Sequence, residues 1–172
     1  MTTQENPVGH PALTDTLTGL ANRLHFETVF RIVFEEGDRG IPVTILLLDL
    51  DNFTEFQKQT SEARGDEVLR EVGQLLNNMS RQTDLLAYMG GDRFCLLLVD
   101  CNLPGGLLVA DRCQMFLDDF RADTGIRFSI GLATYRKEME ARQDLMDAAE
   151  QALKEAKAAG GDQIEIATSG LD

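Results

Sequence analysis

Apolar residues along this chain fall into two rhythms. Phe26, Val29, Phe30, Val33 and Phe34 recur at helical spacing, and the run stops at Gly37. The same rhythm returns over residues 65–79 (Val68, Leu69, Val72, Leu75, Leu76, Met79), 106–120 (Leu107, Ala110, Cys113, Leu117, Phe120) and 144–158 (Leu145, Ala149, Ala152, Leu153, Ala156). A shorter helix is expected over residues 53–58. Strand signals lie between these segments. Residues 42–48 form a long, mainly Val/Ile/Leu run, which predicts a central strand covered on both faces. Two apolar runs, 85–89 and 94–99, flank Gly90-Gly91-Asp92 and predict a hairpin whose glycines supply positive φ angles. Phe128, Ile130 and Leu132 alternate as in a half-buried strand, and Ile164 and Ile166 mark a last one. Residues 14–22 read as turns, with Asp15 or Thr18 placed to cap the helix that follows. Strands and helices alternate irregularly around one central hairpin, which favours a mixed α+β sheet over a doubly wound one.

Composition narrows the class. The 172 residues suit one domain with a real core. Residues 1–12 read as a flexible lead, 13–167 as the domain and 168–172 as a polar tail. No apolar run approaches twenty residues, and the N-terminus lacks the basic and apolar regions of a signal peptide. The expectation is a cytoplasmic protein with no membrane segment. Cys95, Cys101 and Cys113 are odd in number and have no zinc-like spacing, so they read as reduced thiols. A net charge of −13 argues against a nucleic-acid surface. Any nucleotide site must therefore bring its own cations or metal.

The candidate chemistry sits where apolar runs end. Strand alternation sends Asp49 and Asp51 to one face and Leu50 to the other. Asp92 is displayed at the hairpin turn. If the central strand lies beside the hairpin, Asp49 and Asp92 converge into an oxygen-rich site suited to Mg²⁺. No G-x-x-x-x-G-K-[ST] loop occurs, so a P-loop nucleotidase is not expected.

These pieces carry a family resemblance. Asp15-Thr-Leu-Thr-Gly-Leu-Ala-Asn-Arg23, Asp49-Leu-Asp-Asn-Phe53, Gly65-Asp66, Arg81-x-x-Asp84, Gly90-Gly91-Asp92-x-Phe94, Phe128-Ser-Ile-Gly-Leu-Ala133 and Ala156-Lys157 occur in the order and at the spacing of a GGDEF domain. That is the catalytic module of diguanylate cyclases. The resemblance implies a ferredoxin-like, palm-type α+β fold with a central mixed, mainly antiparallel sheet flanked by helices. It also implies a reaction in which a homodimer joins two GTP molecules into cyclic di-GMP with Mg²⁺ or Mn²⁺. A sensory domain normally joins at the N-terminal side.

Carried over by position, Asp49, Asp92 and the Leu50 carbonyl are metal ligands. The amides of Asn52, Phe53 and Thr54 cradle phosphates at a helix start. Gln57 and Asp66 face guanine, and Lys157 reaches a phosphate. Arg81 and Asp84 match the family's inhibitory site for cyclic di-GMP, where Arg and Asp read complementary edges of guanine. The catalytic signature, at Asp92 and Arg93, is altered: Arg93 stands where the family has Glu. Thr54 replaces a Lys, Gln57 an Asn, Gly161 an Arg, and Tyr88 an Arg. Three readings follow. One is an impaired domain that binds cyclic di-GMP at Arg81 and Asp84 and signals through a protein partner. Another is an active cyclase that tolerates Arg93. The third is an interaction module without nucleotide. The first is preferred, because the product site matches in full and the substrate site is edited at several points.

Overall fold

The helix that opens the structure, α1 (Arg23–Asp38), follows from its rhythm: Phe26, Phe30, Val33, Phe34 and Gly37 are its buried residues. Its cap is Asn22, whose side-chain oxygen accepts from the His25 N–H at 2.9 Å. Asp15, expected as a cap, instead closes its own turn by accepting from the Thr18 N–H and hydroxyl, both at 2.7 Å. The reason is reach, since a cap must adjoin the first helical residue. The computed structural model describes residues 11–168. Pro11–Leu13, at the end of the predicted lead, form a 3-10 turn whose Ala12 and Leu13 carbonyls accept from Asn22. Residues 1–10 of that lead and 169–172 of the tail lie outside the described residues.

The chain continues through β1 (Val43–Asp51), α2 (Phe53–Gln59), α3 (Glu62–Met79), β2 (Leu85–Gly90), β3 (Arg93–Val99), α4 (Leu103–Thr124), β4 (Arg127–Thr134), α5 (Arg142–Ala158) and β5 (Ile164–Ile166). Helices α3 and α4 each begin three residues before the periodicity that predicts them. Ser61 and Asn102 cap them, accepting from the Arg64 and Gly105 N–H groups. Their first turns carry few core-facing residues, so they leave little apolar signal. The described residues include no helix long and apolar enough to cross a membrane.

The sheet order is β2-β3-β1-β4-β5. β1 runs antiparallel to β3 and β4, and only the β4–β5 pair is parallel, so the sheet is mixed and mainly antiparallel as the sequence implies. β1 lies at the centre and is buried almost throughout. Its even positions, Leu46, Leu48 and Leu50, pack with α3 and α4. Its odd positions, Val43, Ile45 and Leu47, pack with α1 and α5. The hairpin turns on Gly90 and Gly91, both at positive φ (96° and 58°). It is tied back to β1 by the Leu50 N–H, which donates to the Asp92 carbonyl at 3.1 Å.

Helix α5 lies unusually close to the sheet. A Cβ at Gly131 of β4 would stand 2.3 Å from the Leu153 N and 2.4 Å from the Ala149 carbonyl oxygen. Helix backbone cannot yield as a side-chain tip can, so only glycine fits. This seat sets the height of α5 over the sheet and hence the reach of its side chains. Gly131→Ala should therefore lower stability by about 3 kcal/mol or more, read as a fall in the urea midpoint. An unchanged midpoint would mean that α5 is not seated on β4 this closely.

Candidate nucleotide sites

Asp49 occupies an odd position of β1 and so faces α5. It is 2% exposed, and a carboxylate this buried needs compensating charge. Two cations supply it. Arg93 grips both oxygens, Nε to Oδ1 at 2.8 Å and Nη2 to Oδ2 at 3.2 Å. The Lys157 Nζ donates to Oδ2 at 2.6 Å. Register explains the first contact: Asp49 and Arg93 are directly opposite in the β1–β3 ladder, so their side chains stand together on one face. The other end of the guanidinium donates from Nη1 to Glu150 of α5 at 2.5 Å. Sequence reasoning missed Glu150. The signal was there, because Glu150 and Lys157 are seven residues apart and share a helix face.

Asp92 sits half-buried in the hairpin turn. Burial first, and then the charge of Asp49, push its carboxyl above the usual range. The two acids are thus electrostatically coupled across the strand ends, although Asp92 forms no ion pair among the described residues. Arg93 is itself held more firmly protonated, chiefly by its hydrogen bond to Asp49. Asp51, on the same face, is drawn away from this group. It accepts from the Ser129 hydroxyl at 2.7 Å and from the Asp162 N–H at 2.8 Å.

Beside these acids lies a cleft of about 440 Å³. Leu50 to Glu55 line one wall, with Lys58, Asp92, Lys157, Gly160 and Gly161 around the rest. Asn52 adopts the left-handed conformation and makes no side-chain cap, so the first-turn amides of α2 have no capping oxygen from it. Thr54 brings no charge to the cleft, and Glu55 brings a negative one. Gly161 lies at φ 75°, and a Cβ there would stand 2.8 Å from the Asp51 Oδ2. Farther out, the Gln57 amide lies on the backbone of Gly65, next to Asp66: a Cβ at Gly65 would be 2.6 Å from Nε2. Tyr88 donates its hydroxyl to the Gly91 carbonyl at 2.6 Å and braces the turn. Burial, followed by the charges of Asp15, Asp66 and Asp92, raises its pKa to about 12.

Diguanylate cyclases generally use a divalent metal, so the donor set must be tested against one. Both Asp49 oxygens are engaged by cationic groups, and Arg93 stands within the would-be coordination shell. The described residues include no cluster of three or more His, Cys, Asp or Glu side chains that could hold a metal ion. In this arrangement the residues do not fit a divalent cation.

Arg81 and Asp84 lie in the loop that enters β2, one strand length, or about 17 Å, from the hairpin turn. They face each other: Arg81 Nε to Asp84 Oδ2 is 3.2 Å and Nη2 to Oδ1 is 3.4 Å. The Arg81 backbone N–H adds a third contact at 3.2 Å. The Asp84 side chain is 3% exposed and the Arg81 side chain 55%. The acid is therefore buried beneath the guanidinium, which is itself more than half exposed.

A mixed sheet with an acidic central strand end beside a Gly-Gly-Asp hairpin places the chain in the palm-type α+β class. The family is also plain. The model described as "Diguanylate cyclase, GGDEF domain" matches residues 12–163, and the chain belongs to that family, whose domains serve cyclic di-GMP signalling. Among solved structures, the GGDEF domain of DgcB from Caulobacter crescentus in complex with c-di-GMP is 25% identical. It covers 93% of this chain and 98% of its own, with a TM-score of 0.84. Diguanylate cyclase SiaD in complex with its activator SiaC, from Pseudomonas aeruginosa, is 28% identical over 91% of this chain and 62% of its own, also at 0.84. Diguanylate cyclase DosC of Escherichia coli strain K12 is 29% identical over 91% of this chain. "Probable diguanylate cyclase DgcE" of the same strain is 36% identical over 66% of it. The chain spans only 35% and 10% of those two curated relatives.

The raised pKa of Asp92 has a measurable sign. Its contribution to stability is fully present below the ordinary value of 3.8 and is lost as pH rises through the higher folded-state value. Asp92→Asn cannot ionise. It should match the unmodified protein at low pH and exceed it in stability at neutral pH, as thermal melts over a pH series would show. A difference independent of pH would place Asp92 in a solvated environment.

Proposed function

We propose that this GGDEF domain is catalytically impaired, binds cyclic di-GMP at Arg81 and Asp84, and passes the signal to a protein partner. The observation that carries the first clause is the Arg93 grip on Asp49. A guanidinium fills the position where the family reaction needs a divalent cation. At about 5 Å and an effective dielectric of about 20, each unit of charge is worth roughly 3 kcal/mol. Replacing Glu by Arg changes the local charge by two units, and the contact to Glu150 holds Arg93 in place. The cleft also lacks the cations that Thr54 and Gly161 replace, and of the two lysines in its lining only Lys58 is left unpaired by Asp49, so a GTP triphosphate is weakly neutralised there. Lys157, a phosphate ligand by position, is paired with Asp49 instead.

The second clause rests on the geometry of the Arg81-x-x-Asp84 loop. A buried, pre-positioned carboxylate suits the guanine N1 and N2 groups. An exposed guanidinium suits O6 and N7 once it swings out. DgcB, 25% identical, is a GGDEF domain in complex with c-di-GMP. SiaD, 28% identical, is a diguanylate cyclase in complex with its activator SiaC, which is a precedent for a protein partner on a chain with this domain.

Titration calorimetry should show cyclic di-GMP binding to the unmodified protein. Arg81→Ala should weaken it by on the order of 2 kcal/mol, about thirtyfold, with the fold intact by circular dichroism. No binding to the unmodified protein would leave a nucleotide-free interaction module. Unchanged affinity in the variant would move the ligand elsewhere.

Turnover tests the other half. The unmodified protein should give no cyclic di-GMP from GTP with Mg²⁺ or Mn²⁺. Arg93→Glu should lower the melting temperature in chelator, because it gathers carboxylates around Asp49 and Glu150, and either metal should restore it. That variant should also condense GTP slowly. Thr54→Lys should raise the rate further, and not additively, since both changes act on one phosphate cluster. Gly161→Arg is the poorer choice, given the positive φ and the nearby Asp51 oxygen. Efficient turnover by the unmodified protein, not improved by Arg93→Glu, would identify a cyclase that tolerates Arg93.

A further inference from the structure

Six large apolar side chains are well exposed among the described residues, and three of them stand on α4: Leu108 at 67%, Met115 at 71% and Phe116 at 48%. Their spacing of i, i+7 and i+8 keeps them on one stripe of the helix. The opposite side of α4 already packs into the core through Ala110, Cys113, Leu117 and Phe120. The stripe therefore adds nothing to seating α4, and it leaves Met115 and Phe116, and one charged turn away Leu108, as apolar surface in water. Toward α3 it runs into a groove of about 520 Å³, where Leu75, Met115, Phe116 and Phe120 meet Asp119 and Asp123.

Charge decides what the groove accepts. Asp119 and Asp123 form no ion pair among the described residues, whereas Arg121, the cation of the last turn, is spent on Asp118 and Asp162. The two free acids also sit at the carbonyl end of α4, where the helix dipole adds negative potential. Arg112 lies among the apolar positions, farther from that end. The groove itself is thus apolar at Leu75, Met115, Phe116 and Phe120 and acidic at Asp119 and Asp123, with Arg112 outside its lining. A second copy is a poor occupant, since it carries a net charge of −13 and a two-fold contact would bring like patches together.

We propose that the α4 stripe and the α3–α4 groove form a docking surface for a basic amphipathic helix of another protein. Its apolar side chains lie on Leu108, Met115 and Phe116, and its Lys or Arg residues meet Asp119 and Asp123. The stretch from Leu108 to Asp123 measures about 22 Å and accommodates a helix of about 15 residues. The surface belongs to the face of the sheet opposite the Asp49–Arg93 network, so that network takes no part in it.

The test uses three fluorescein-labelled 16-residue peptides and the full chain. One is an amphipathic helix with Leu at i, i+3, i+4 and i+7 and Lys or Arg elsewhere. One is its scrambled sequence, and one has Glu in place of every Lys and Arg. Fluorescence anisotropy should show the first binding at least tenfold tighter than the other two, and more weakly at 500 mM than at 50 mM NaCl. Met115→Asp and, separately, Asp119→Lys should each weaken it about tenfold or more, whereas Arg81→Ala should leave it unchanged. Met115 and Asp119 are exposed, so circular dichroism should report intact folds. Equal binding of the scrambled peptide would reduce the effect to charge and overturn the proposal. So would affinity that neither substitution alters. Self-association that Phe116→Asp abolishes in sedimentation velocity would overturn it too, by making a second copy the occupant.

Discussion

A carboxylate buried at the end of a central strand has to be neutralised, and at Asp49 the choice of partner shapes the whole site. In this chain the partner is a guanidinium from the strand directly opposite, assisted by an ammonium from α5. Arg93 in turn satisfies Glu150, so the network joins β1, β3 and α5. A buried ion pair is weak evidence for stability, because desolvation offsets much of the attraction. Removing one member is costly, however, since it strands the others. The arrangement is therefore self-consistent, and it leaves neither Asp49 oxygen without a cationic partner.

The two candidate nucleotide sites differ in where their cations are. Around the cleft, Arg93 and Lys157 are both engaged with Asp49, Lys58 forms no ion pair among the described residues, and Thr54 and Gly161 add no charge. At the Arg81 loop the partners are also paired, yet one of them is more than half exposed. Arg93 is anchored by two carboxylates, buried Asp49 and partly exposed Glu150, whereas Arg81 is anchored by one, Asp84. That difference in anchoring, and not the number of matching residues, separates Arg93 from Arg81 physically.

Strand alternation also separates the two faces of the sheet. Odd positions of β1 send Asp49 and Asp51 toward α5, and even positions send Leu46, Leu48 and Leu50 toward α3 and α4. The charged network thus grows on one side while the other carries the apolar stripe of α4. The close seat of α5 on Gly131 brings the helix low enough for Glu150 and Lys157 to reach the strand ends.

The apolar rhythms were enough to locate the helices and strands, because burial imposes a period of 3.6 or 2 on any sequence that forms a core. Helix starts were less legible: Asn22, Ser61 and Asn102 cap through short-range hydrogen bonds that leave no periodic trace. The family's motifs marked Asp49, Asp92, Lys157, Arg81 and Asp84, and the altered residue at Arg93 was visible in the sequence. Where the Arg93 side chain would go was not. Outward to solvent, onto a phosphate, or onto Asp49 or Asp92 were all compatible with the same letters. Only the tertiary structure decided it, through the β1–β3 register that sets Arg93 opposite Asp49 and the helix seat that brings Glu150 to its far side. The physical reason is that a long, flexible cation takes the partners that packing places within its reach, and those partners come from segments distant in the chain.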